Sequence, residues 1–180
     1  MKKVKMIVAA LVAAVTVLSN GTVAQAAEGE LAIVSSGNME VKQLTEAEVA
    51  QLSNTLSADA IVGENPLELA ANSSYEVWQY SDTFNFYIGG SWAAAAHIVC
   101  VVYRYDDGKV HLYSRDISLE KMSNYTVLKS YGSIVNTDGS VSYTTGDRVT
   151  IYNYTDMWKF AIDFAATPTG QSFNCYQITY

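Results

Sequence analysis

The sequence predicts an all-β protein. The expected form is a single antiparallel β-sandwich, or partly open barrel, of about eight or nine short strands, preceded by an acidic arm with one short capped helix. Three observations predict it. From Tyr75 onward the chain is dominated by Tyr, Val, Ile, Thr and Phe, the residues that fit a pleated, half-buried surface. Gly, Asp and Asn interrupt this stretch roughly every 8–12 residues, the spacing of turns in sandwiches and barrels. No amphipathic helical pattern breaks it, which argues against parallel βαβ units.

The chain opens with Lys2, Lys3 and Lys5, then an apolar run from Met6 to Leu18, then Ala24-Gln25-Ala26. A basic start, a short apolar stretch and an A-x-A site make a secretory signal peptide over 1–26. The run is too short to span a bilayer, and no later stretch reaches spanning length without charge or glycine. The expectation is a secreted, extracellular product beginning near Ala27, with no transmembrane anchor.

Residues 27–72 form the arm. They carry eight acidic residues against Lys42 alone and contain no Phe, Trp or Tyr. Such a segment can bury little by itself. Within it, Thr45-Glu46-Ala47-Glu48 is a capping box, with Leu44 and Val49 at the staple positions. Val49, Leu52 and Leu56 follow at helical spacing, so a helix is expected near 46–57. It is short enough to need a surface to dock on. The arm reads as a linker or as a propeptide removed after export.

The expected β domain spans 73–180, with strands near 75–80, 84–88, 97–105, 109–115, 125–136, 141–144, 148–154, 157–165 and 172–179. Asp106-Asp107-Gly108 marks a hairpin. A three-residue loop with a G1 bulge at Gly108 pairs Arg104 with Val110 and Val102 with Leu112. It places Cys100, Val102, Val110 and Leu112 on the core face, and Tyr103, Lys109, His111 and Tyr113 on the outward one. In the strand near 157–165, Trp158, Phe160, Ile162 and Phe164 share a core face, opposite Lys159 and Asp163. Val149 and Ile151 extend that core. Cys100 and Cys175 could form a disulfide in an oxidising compartment or remain buried thiols.

The chemistry-bearing signals are few. The net charge of −7 leaves no basic footprint for phosphates, so nucleic acid is excluded as the main partner. There is no G-x-S-x-G elbow, no H-x-x-x-H, no C-x-x-C and no glycine-rich phosphate cradle. No catalytic residue, metal or cofactor is expected, and nothing specifies an oligomeric state. The remaining signal is tyrosine. Tyr103, Tyr113, Tyr152 and Tyr154, with His111, fall on faces read as outward and are the candidate binding residues for an extracellular glycan or protein. The favoured function is thus a secreted, non-enzymatic binding module. A toxin or bacteriocin-like protein inhibited by its acidic arm, and a small hydrolase using His97 or His111, are the alternatives.

Overall fold

The computed structural model describes residues 31–35, 38–55, 60, 74–137 and 140–179. The expected signal peptide over 1–26, the residues between the helix and the β domain apart from Ala60 and Ser74, and residues 138–139 lie outside them. Among the described residues the protein is two antiparallel sheets and one helix.

The first sheet is a meander of three long strands, β3 (Tyr75–Ile88), β4 (Ser91–Tyr105) and β5 (Val110–Lys121). The two strands expected at 75–80 and 84–88 are therefore one, because Ser81, Asp82 and Thr83 stay in register with Val99, Ile98 and His97. Two strands of the arm lie along the same edge of β3. β1 (Leu31–Ser35) pairs with its second half and β2 (Glu40–Leu44) with its first. Neither strand was expected from the sequence. Helix α1 (Glu46–Thr55) follows β2. Its capping box is formed: Thr45 Oγ1 and the Thr45 N–H both donate to Glu48 Oε2 at 2.8 Å.

The second sheet contains β6 (Thr126–Ser130), β7 (Ser133–Thr137), β8 (Val141–Thr145), β9 (Arg148–Tyr152), β10 (Met157–Thr167) and β11 (Gly170–Gln177). β8 and β9 run end to end along one edge of β10, and β11 occupies the other edge. β6 and β7 run end to end along β9 and β8. The sheet is thus a meander of four rows, and the two rows on one side of β10, that of β8 and β9 and that of β6 and β7, bend together, at Tyr131-Gly132 and at Gly146-Asp147. The strand expected over 125–136 is divided by this bend. Glycine is required at 132, since a Cβ there would lie 1.7 Å from the Thr145 carbonyl oxygen. Gly146 adopts a φ of 83°, which disfavours other residues.

A buried ion pair from the first sheet pins the bend. Arg115 Nε lies 2.5 Å from Asp147 Oδ2, with the two side chains 0% and 3% exposed. Asp147 Oδ1 accepts the Gly132 N–H at 2.9 Å, and Arg115 Nη2 donates to the Gly132 carbonyl at 2.9 Å. Burial pushes the Asp147 carboxyl above its ordinary range, against the pull of the Gly132 N–H and Arg115. The Arg115 guanidinium also stacks on the Tyr131 ring, 5.0 Å from its centroid.

The core between the sheets joins Tyr80, Phe84, Phe86, Ile98, Cys100, Val102, Val110, Leu112 and Ile117 to Val149, Ile151, Phe160, Ile162 and Phe164. The expected alternation holds on both sides: Arg104 pairs with Val110, Val102 pairs with Leu112, and Gly108 has a φ of 85°. The outer edge of β5 is met by side chains of the second sheet. Asn136 Oδ1 accepts from Leu112 N–H at 3.0 Å, Ser142 Oγ donates to Val110 O at 3.0 Å, and Tyr131 Oη accepts from Ile117 N–H at 3.0 Å. An edge engaged in this way does not recruit a further strand. Cys100 and Cys175 are free thiols rather than a disulfide. Each packs on its own sheet's side of the core, and burial pushes the Cys175 thiol up to about 12 and Cys100 up as well.

Candidate functional site

The five residues singled out from the sequence fall into two unlike places. Tyr103, His111 and Tyr113 lie on the outer face of the first sheet, as the alternation requires, but that face is covered. Leu44 of β2, with Val49 and Leu52 of α1, packs on Val77, Val101 and Tyr103. Tyr103 is only 2% exposed, a correction to its expected exposure. The physical reason is the arm, whose thin apolar stripe needed a partner and found this face. Tyr75, Tyr103, Tyr105 and Tyr113 form one ring cluster with centroid separations of 5.2 to 6.0 Å. Burial pushes the Tyr103 phenol up to about 12. His111 is buried too, its Nε2 3.2 Å from Asn136 Nδ2 at the sheet junction. His97 is exposed and faces Thr83 Oγ1 at 3.0 Å, on the opposite side of β4 from Cys100.

Tyr152 ends β9 and Tyr154 lies in the β9–β10 turn of the other sheet. Asn153 Oδ1 holds that turn by accepting from the N–H groups of Thr155 and Asp156 at 2.9 and 2.8 Å. Tyr154 projects fully into solvent and Tyr152 is half-buried. The structure does not bring this pair together with the tyrosines of the first sheet.

Together with Asn153, Thr155, Asp156 and Met157, Tyr152 and Tyr154 line a shallow hollow of about 310 Å³. A larger concave feature open to solvent lies elsewhere, on the outer face of the second sheet. It is a groove of about 590 Å³. Its floor runs along β10 through Ala161, Asp163 and Ala165. On one side β9 contributes Arg148, opposite Ala161, and β8 contributes Tyr143, opposite Ala165. On the other side β11 contributes Tyr176, also opposite Ala161. The Asp163 carboxylate beside the Tyr176 hydroxyl pushes the Tyr176 phenol up. Tyr176 is half-exposed and Arg148 is exposed. The bend at Gly146-Asp147 falls between Tyr143 and Arg148 and hollows the face.

Sequence reasoning placed Asp163 opposite the core and gave it no role, and it passed over Tyr143, Arg148 and Tyr176. The available signal was parity. Ala161 and Ala165 share the Asp163 face of β10, so a low floor beside a charge was readable there. The walls were not, because they depend on the pairing of three separate strands.

Among the described residues no group of three or more His, Cys, Asp and Glu is placed to hold a metal ion. Among them, too, no helix is long and apolar enough to cross a membrane. Compared with protein-family models, curated proteins and solved structures, the chain matches none.

Proposed function

We propose that the protein is a secreted, non-enzymatic binding module that engages an extracellular glycan or protein surface through the outer face of its second sheet. One observation carries the reading: aromatic and charged side chains from four strands converge on a solvent-open groove of about 590 Å³. That volume lies within the range of small-ligand sites, which combine apolar walls with a few polar groups. Export is supported by the basic, apolar and A-x-A segments of residues 1–26. The test is retention of the secreted chain on isolated cell-surface glycans and on surface proteins. Wild-type protein is retained, and a Tyr143→Ala/Tyr176→Ala variant is retained several-fold less. Equal retention of the two proteins would overturn the reading.

A second reading, a toxin-like protein held inactive by its arm, is favoured by the burial of Tyr103 beneath Leu44, Val49 and Leu52. Release of the arm would expose four clustered tyrosines. Leakage of lipid vesicles is then expected only after cleavage between the arm and Ser74, and vesicles left intact by both forms would exclude it.

A further inference from the structure

We infer that the groove of the second sheet is a carbohydrate site that takes a short neutral saccharide, its rings laid against Tyr143 and Tyr176 and its hydroxyls bonded by Asp163 and Arg148. The inference rests on the binding-module reading and adds the ligand class.

Four features of the groove point to this chemistry. The first is its floor. Ala161 and Ala165 raise nothing above the sheet, so a flat ring can approach the backbone plane. The second is the placing of its aromatic walls. Ala161 lies between Arg148 and Tyr176, and Ala165 lies beside Tyr143. With a rise of roughly 3.4 Å per residue and strands about 4.8 Å apart, the two tyrosines stand at opposite corners, about 17 Å apart at their Cα atoms. That distance suits a chain of linked rings better than one ring. The third is charge. Asp163 in the floor disfavours an anion and Arg148 disfavours a cation, while together they offer an acceptor and several donors. A neutral ligand dense in hydroxyls satisfies both. The Asp163 carboxylate and the Tyr176 hydroxyl line the same groove, so one hydroxyl-rich ligand can meet both.

The fourth feature disfavours a peptide. β10 is paired by β8 and β9 on one edge and by β11 on the other. Its backbone groups are consumed, so a peptide could not add as a strand along the floor. Recognition there must run through side chains.

Titration of the full secreted chain with soluble cellobiose, N,N′-diacetylchitobiose, lactose and maltotriose tests the inference. Amide shifts of Ala161, Ala165 and Tyr176 are the readout. At least one of these sugars is expected to give saturable shifts confined to the groove. Tyr176→Ala and Asp163→Asn should each weaken that binding about tenfold or more, whereas Glu120→Gln, exposed on the other sheet, should leave it unchanged. Absence of saturable shifts with all four sugars would overturn the saccharide assignment, as would equal affinity in the groove variants or tighter binding of a uronic acid disaccharide. If Tyr143→Ala/Tyr176→Ala still loses retention on surface proteins while no sugar binds, the saccharide falls and the binding module stands. If that variant keeps full retention, both fall.

Discussion

The two outer faces of this sandwich start from similar sequence and end in opposite states. On the first sheet, Tyr75, Tyr103, Tyr105 and Tyr113 alternate with core residues and are roofed by β2 and α1. On the second, Tyr143 and Tyr176 alternate with core residues in the same way and line an open groove. Period-2 alternation identifies the face turned away from the opposing sheet. It does not say whether that face meets water. The difference comes from the arm, an aromatic-free segment whose few leucines and valines had to be buried somewhere.

The hollow of the open face depends on the bend at Gly132 and Asp147, so the largest expected effect comes from breaking it. Asp147→Ala leaves the Arg115 guanidinium buried without its partner and should cost about 3–5 kcal/mol. Urea unfolding measures this, and a loss below about 1 kcal/mol would mean that the ion pair does not hold the bend.

On the covered face, Tyr103→Ala removes a fully buried ring and should cost about 3 kcal/mol. If its unfolding midpoint matches that of wild type, the roof is not packed on it. Leu52→Ala trims only a half-buried contact of α1, with an expected cost of about 1 kcal/mol. Faster amide exchange should be confined to α1 and β2, whereas exchange raised across the whole first sheet would show that the arm and the sheet unfold together.

The mildest probe of the roof is acid. Lys42, followed by Thr45, holds the Glu48 carboxyl down at about 2, against an ordinary 4.5. A depressed folded value stabilises the capped helix above about pH 4.5 and loses that support as pH falls through 2. Exchange at α1 should therefore rise between these values before β10 responds. A Glu48→Gln variant with the same acid profile as wild type would refute this account. On the open face, Tyr176→Ala and Tyr143→Ala should shift stability by no more than about 0.5 kcal/mol. A larger loss from either would show that the groove walls support the fold rather than a ligand.

Much of the fold was legible because local chemistry and global packing agree. Gly108 is needed for a left-handed turn, and the register it sets puts Val102 and Leu112 on the core side. The run from Trp158 to Phe164 could bury only one face. Thr45 and Glu48 announce the helix start. β1 and β2 were not legible. Of the five residues of β2 only Leu44 is buried, so its alternation carries no core signal. The strand exists because β3 offers an unpaired edge. Arg115 and Asp147 were equally opaque, being 32 positions apart in the chain, and no periodicity distinguishes an inward arginine from an outward one.

Which residues alternate, where the chain turns and where the helix begins are properties of neighbours within a few positions, and the amino-acid order specifies them directly through backbone sterics, capping bonds and the parity of side chains. Which outward face is roofed, which strand edge is capped by Asn136, Ser142 and Tyr131, and which side chains meet above Ala161 and Ala165 are set by pairings between distant segments. Those pairings are chosen by the burial and hydrogen bonding of the whole chain at once, so no local stretch of the sequence records them.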